Sequence, residues 1–314
     1  MEQPSAAVTI PPPPTPVADA LAGLLAAAGR MMVGAAELRR RLRREIIADL
    51  DERLAAIAHS TGDTGVDAFG MEPAALRPAA IGAALLYRLW FRCLVQGIER
   101  LPRGPAIMVA NHGGQLPFDG LMITASLLLD ADPPRLARSL TDRWVPSLPF
   151  VSTFYSRCGV VVGSPENARR LLADGATLLV FPEGMAGISK TIDRAYELQP
   201  FGTGFMRLAI ETGAPVVPVA VVGSEEQYPT LYNLENAGRT LGLPSLPIWL
   251  QLPIPVLGLL PLPVRYRLTF GEPLRFDGDP DDEEEIIGRK ADEVKAVLRE
   301  LIREARNARG SIFW

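Results

Sequence analysis

Ala106-Ile-Met-Val-Ala-Asn-His-Gly-Gly-Gln-Leu-Pro-Phe-Asp-Gly120 is the stretch on which the fold of this chain turns. The apolar run Ala106 to Ala110 is short and is followed by turn formers, so it reads as a buried strand. Gly113 and Gly114 then break the chain direction, and Pro117 suits the first turn of a helix running to about Leu129. The same order recurs downstream. Cys158-Gly-Val-Val-Val162 reads as a strand, and Ser164-Pro165 opens a helix that carries Asn167 to Ala173. Ala176 to Phe181 is a third strand, Phe201 to Thr212 a helix, and Pro215 to Val222 a fourth strand. Val264 to Phe270 reads as a late strand and Glu283 to Ala308 as a closing charged helix. Strands alternating with helices predict an α/β sandwich on a mixed, largely parallel sheet flanked by helices.

Upstream the pattern changes. Residues 1–16 include Pro11 to Pro14 and read as a flexible, polyproline-like tail. From Val17 to about Ala58 the apolar positions fall three and four apart: Leu21, Leu24, Leu25, then Leu38, Leu42, Ile46, Leu50 and Leu54. With charges between them, they predict an amphipathic helical extension. His59-Ser-Thr-Gly62 ends it, and a Gly-, Asp- and Pro-rich linker follows to about Pro78. A second amphipathic helix is expected over Ile81 to Gln96, its Leu85, Leu86, Leu89, Trp90 and Phe91 serving as core contacts or as an interfacial anchor. The expected division is a tail over 1–16, a helical extension with linker over 17–78, and the main domain over 79–314.

Composition narrows the function. Of 314 residues, 48% are hydrophobic, and the mean hydropathy of +0.14 is oily for a soluble protein. Yet no stretch reaches the roughly 18 uninterrupted apolar residues of a spanning helix. The richest run, Val17 to Ala36, carries Asp19 and Arg30 and reads as surface-lying or core-packed. A formal net charge of −4 supplies no global field for nucleic acid. Locally, Arg39, Arg40, Arg41, Arg43 and Arg44 crowd together, while Asp279 to Glu285 is strongly acidic. Both fit solvated faces, and the arginine cluster also fits anionic lipid head groups beside an apolar helix face. Cys93 and Cys158 lie in apolar surroundings and read as reduced core residues, not a disulfide scaffold. No basic leader with an apolar core and a small-residue cleavage site opens the sequence, so a cytosolic protein facing a membrane is expected.

The chain has two histidines. His59 sits in a helix-ending turn and reads as an exposed or capping residue. His112 stands where a buried strand opens into a glycine turn, a place where α/β folds put reactive side chains. Asp119 follows seven residues later. A neutral imidazole, with an ordinary pKa of about 6.5, can take a hydroxyl proton near neutral pH. A carboxylate on its other nitrogen fixes the tautomer and stabilises the imidazolium that forms. Along a continuous helix the pair would be about 10 Å apart, so the mechanism needs the Gly113–Pro117 loop to fold Asp119 back beneath His112. A second strand-end turn, Val180-Phe181-Pro182-Glu183-Gly184, could bind acceptor hydroxyls through its carboxylate, or an anion through backbone N–H groups.

Through these residues the sequence resembles the glycerolipid acyltransferase superfamily, which includes the lysophosphatidic acid acyltransferases. Asn111-His112 with Asp119 is similar to its His–Asp motif, and Phe181-Pro182-Glu183-Gly184 to its acceptor-binding motif. Pro215 to Gly223 resembles the family's last strand, and the resemblance covers roughly residues 85–275. It implies direct attack of an acceptor hydroxyl on an acyl-CoA or acyl-carrier-protein thioester, with no acyl-enzyme and no cofactor. His112 is then the general base and Asp119 its orienting carboxylate. Phe181, Pro182, Glu183 and Gly184 belong to the acceptor site, and backbone N–H groups of the turns stabilise the oxyanion.

The sequence departs from the family pattern in three places. Six residues, Gly113 to Phe118, separate His112 from Asp119 where the family typically has four. Cys158 to Ser164 holds no arginine where a phosphate-binding one is expected, and Met185-Ala186 replaces the usual Thr-Arg. Lys190, Arg194 and Arg157 are the nearby basic residues, available to a phosphate, to a CoA tail or simply to water. The longer loop resembles a branch acting on neutral acceptors such as diacylglycerol or long-chain alcohols. The expected partners are membrane lipid and the acyl donor, with the enzyme peripheral on the cytoplasmic face of a membrane.

Pro244 to Pro263 holds six prolines among apolar residues, which rules out a long helix and predicts an oily segment packed on the core or dipping into lipid. Two other function classes stay open. Water in place of the alcohol would make a thioesterase, although Gly223-Ser224-Glu225 does not complete a nucleophile elbow. A non-catalytic lipid-binding module would have no need of His112, Asp119 and Glu183 together. Two histidines and two cysteines offer no metal-ligand spacing, and the nucleotide-phosphate loop is missing.

Overall fold

Seven strands form one sheet in a computed structural model of the chain. They are β1 (Leu94–Gln96), β2 (Ala106–Ala110), β3 (Ala137–Thr141), β4 (Val161–Val162), β5 (Thr177–Val180), β6 (Val216–Val222) and, after a separate hairpin of β7 (Thr230–Asn233) and β8 (Pro247–Trp249), β9 (Arg267–Phe270). The structure describes residues 48–57, 65–142, 144–145, 150–234, 246–254 and 257–313. Contacts divide the chain into Met1–Asp49 and Leu50–Trp314, and the sheet belongs to the second unit. The Pro-rich tail, the helical run up to Ile47, the arginine cluster and His59 lie outside the described residues.

The sheet order is β1-β9-β6-β2-β5-β3-β4. All neighbours are parallel except β6 and β9, so β1 and β9 run against the other five. The mixed, largely parallel sheet flanked by helices is therefore the fold. β2 and β6 lie at its centre and every residue in them is buried, which is why both read as unbroken apolar runs.

Helices cover both faces: α1 (Ala48–Ile57), α2 (Pro73–Leu85), α3 (Phe118–Leu129), α4 (Val151–Arg157), α5 (Pro165–Ala173), α6 (Met185–Ile188), α7 (Gly204–Thr212), α8 (Ser224–Gln227) and α9 (Glu284–Asn307). Ile107, Val109, Leu178 and Val216 face α5, α7 and α9, meeting Leu171, Phe205, Met206 and Val294. Each such side chain, fully buried, contributes about 1.5–3 kcal/mol. Along α9 the buried residues Ile287, Ala291, Val294, Leu298 and Ile302 recur every three or four positions, and charges occupy most of the positions between them. On the other face α3 lies close over Phe181 and Leu179, with Gly120 at the contact.

Several expected boundaries shift. The helix expected over 81–96 begins at Pro73, and its last turn, Leu86–Trp90, is π-wound. Leu94–Gln96 is an edge strand on β9 instead. The linker thus stops short of Pro78, which sits inside α2 and removes one backbone N–H donor from it. Cys158 caps α4, and Gly159 at φ +88° turns the chain, which shortens the strand expected from Cys158 to Val161–Val162. In Pro244–Pro263 the described residues form β8 and a short 3-10 turn, not a long helix. Within this segment Trp249 Nε1–H donates to Gly258 O (2.7 Å), and Gln251 Nε2–H ties it to Gln227 O (2.9 Å). Leu231, Tyr232, Leu250, Ile254 and Leu259 point outward and are exposed. Both cysteines are free and half-buried, and burial raises both thiol pKa values. Among the described residues no helix is long and apolar enough to cross a membrane.

Candidate active site

The parallel neighbours β5, β2 and β6 end at one edge of the sheet. The chain leaves them as Phe181-Pro-Glu-Gly184, Asn111-His-Gly-Gly114 and Gly223-Ser-Glu225. Asn111 extends β2 by one residue through its side chain: its Oδ1 accepts from Val221 N–H (2.8 Å) and its Nδ2–H donates to Val221 O (2.9 Å). His112 therefore starts from a clamped main chain.

His112 Nδ1 lies 2.6 Å from Asp119 Oδ2; the carboxylate is fully buried and the imidazole 14% exposed. Asp119 comes from the first turn of α3, after the loop has folded back. Its Oδ2 also accepts from Gly113 N–H (3.0 Å) and its Oδ1 from Gly120 N–H (2.7 Å). In the tautomer that donates from Nδ1 to this carboxylate, the Nε2 lone pair is left free. The imidazole stacks on Phe181 with ring centroids 4.1 Å apart and planes at 21°. The turn demands Gly114, at φ +74°, where a Cβ would come within 2.2 Å of Ser224 O. Gly184, at φ +54° and ψ −142°, occupies backbone space that side chains forbid.

The structure sorts the residues singled out from the sequence. His112, Asp119 and Phe181 meet, and Pro182 and Gly184 shape the turn beside them. Glu183 is buried beneath, its Oε1 accepting from His112 N–H (2.9 Å) and its Oε2 from Gln199 N–H (2.7 Å). Lys190 is buried as well, with Nζ 2.5 Å from Glu225 Oε1 and 3.8 Å from Glu183 Oε2. Burial pushes the Glu225 carboxyl up to about 7, even though Lys190 beside it acts in the opposite sense. Arg194 stands apart on the surface, paired with Glu197 at 3.0 Å, and Arg157 pairs with Glu72 at 3.4 Å. Glu225, Gln199 and Tyr196, whose N–H donates to Glu225 Oε1 (3.3 Å), escape sequence reasoning. For Glu225 the available signal is its place at a third strand end.

Next to Phe181 lies an open cavity of about 620 Å³, lined by Leu140, Thr141, Asp142, Trp144, Gly163 and Val180 as well. Among the described residues no group of His, Cys, Asp and Glu could hold a metal ion.

Residues 92–222 match the family model described as Acyltransferase. An uncharacterised protein of Mycobacterium tuberculosis is 36% identical over 282 residues, 85% of this chain and 78% of that protein. The "DGAT1/2-independent enzyme synthesizing storage lipids" of Gallus gallus is 29% identical over 72% of this chain and 63% of its own length. The chain belongs to the glycerolipid acyltransferase superfamily. The family and these relatives support lipid acyl transfer in general. The crystal structure of the 1-acyl-sn-glycerophosphate acyltransferase PlsC from Thermotoga maritima aligns with a TM-score of 0.48 and 22% identity, over 75% of this chain and 81% of that one.

Proposed function

We propose that this acyltransferase moves a fatty acyl group from an acyl thioester, carried by CoA or acyl carrier protein, to a hydroxyl of a glycerolipid acceptor at a membrane surface. The observation that carries the reading is the 2.6 Å contact between His112 Nδ1 and the buried Asp119 carboxylate, which leaves Nε2 free to act. Nε2 takes the acceptor hydroxyl proton as the oxygen attacks the thioester carbonyl. The tetrahedral intermediate collapses, the C–S bond breaks, and the thiolate leaves with the proton held on Nε2. Asp119 stays ionised throughout and steadies the imidazolium.

A neutral acceptor is the better match. The described lining of the cavity beside Phe181 has no cation, Lys190 is engaged by two carboxylates, and Arg194 and Arg157 have acidic partners. The exposed side chains of Leu231, Tyr232, Leu250 and Leu259 lie on the hairpin and segment next to the site, since Gln115 Nε2–H donates to Thr230 Oγ1 (2.7 Å). They supply an apolar surface for peripheral attachment to the cytoplasmic face of a membrane.

The test is thiol release from a long-chain acyl-CoA by purified protein in detergent, without and with lysophosphatidic acid, other lysophospholipids, diacylglycerol or a fatty alcohol. Release that depends on diacylglycerol or the alcohol, and disappears in His112→Ala, is the expected result. Dependence on lysophosphatidic acid would replace the neutral acceptor by a phosphorylated one. Acceptor-independent release would make the protein a thioesterase.

A further inference from the structure

We propose that Lys190 and Glu225 are positioning residues for this transfer: together they keep Glu183 as the carboxylate that anchors the main chain of His112. The assignment rests on His112 acting as the base. Both Glu183 oxygens are taken by backbone donors from separate segments, His112 N–H at 2.9 Å and Gln199 N–H at 2.7 Å. An ionised carboxylate accepts such bonds most strongly, but burying it without a counter-charge is costly.

Lys190 meets that need from 3.8 Å, too far to compete for the Glu183 lone pairs. Its own donors go to Glu225 Oε1 (2.5 Å) and Glu197 O (3.3 Å). Glu225 is in turn pressed against the residue after His112: a Cβ on Gly113 would come 2.7 Å from Glu225 Cδ. The cluster therefore holds the catalytic turn on two sides, at the N–H of His112 and at the Cα of Gly113. All three side chains are at least 96% buried, which leaves Lys190 no path to a substrate phosphate without rearrangement. Removing the ammonium would leave two buried carboxylates that cannot both stay ionised.

The test begins in the ligand-free protein, where it does not depend on any acyl transfer. In Lys190→Met the backbone amide resonance of His112 should shift as its acceptor weakens. In the double variant Lys190→Met/Glu225→Gln, which removes the second carboxylate that competes with Glu183 for ionisation, it should move back toward the wild-type position. In turnover, Lys190→Met should lower kcat at least tenfold with the acceptor KM within twofold, and the double variant should recover most of that loss. If Lys190→Met does not fold, Glu225→Gln serves alone, because the freed ammonium should then swing onto Glu183 and move the same amide. An unmoved His112 amide in both variants would overturn the proposal. So would a Lys190→Met enzyme with normal kcat and a raised KM for a phosphorylated acceptor, which would make Lys190 a binding residue.

Discussion

The α3 side of His112 and its β5 side each deliver one buried carboxylate to the same residue. Asp119, from α3, bonds the imidazole and two local N–H groups, and its ion-pair partner among the described residues is His112 itself. Glu183, from the turn after β5, bonds only main-chain N–H groups and has Lys190 and Glu225 behind it. The difference separates chemistry from architecture. In the proposed transfer, the carboxylate on the ring acts on the developing imidazolium and so on the barrier, whereas the one on the main chain acts on where the ring sits.

Substitutions can break that contrast. His112→Ala sets the ceiling, and its kcat should fall about 10⁴-fold while the far-UV circular dichroism stays that of the wild type. Retained turnover would remove the base altogether. Asp119→Asn should cost about 10³-fold in kcat with KM little changed, because the amide no longer steadies the imidazolium. A rate near wild type there would mean that both carboxylates are architectural.

Glu183→Gln should be milder, about tenfold in kcat, since its NH₂ must face one of two backbone donors. A loss equal to that of Asp119→Asn would erase the distinction between the two sides.

The smallest effect concerns stability. With its folded-state carboxyl raised to about 7 by burial, Glu225 holds a proton more tightly than it does in the unfolded chain. Its stabilising contribution is complete below the ordinary carboxylate range and is lost as pH rises toward 7. Glu225→Gln should therefore gain on the wild type in urea midpoint between pH 5 and pH 8. A constant gap would place Glu225 in a more hydrated setting.

His112 and Asp119 are legible in the sequence because they lie on one strand–turn–helix unit, joined by glycines that leave a single sensible way back. Lys190 is misleading for the opposite reason. A lysine after a glycine-rich turn usually reaches water, and nothing local shows that Glu225, thirty-five residues on, waits to receive it. β3 and α4 are unsignalled as well, since Ala137-Arg-Ser-Leu-Thr141 lacks a clear alternation of apolar and polar residues.

By itself, the amino-acid sequence determined the α/β class, the central strands β2 and β6, and the pairing of a strand-end histidine with a carboxylate. These follow from local rules, because a strand buried on both faces must be apolar throughout and a glycine turn limits how the chain can return. Tertiary structure alone decided the reversal of β1 and β9, the hydrogen bond of the β7–β8 hairpin to the loop after His112, and the inward turn of Glu183, Lys190 and Glu225. Those depend on which strand ends become neighbours, and adjacency across a sheet is set by packing between distant segments, not by any run of residues.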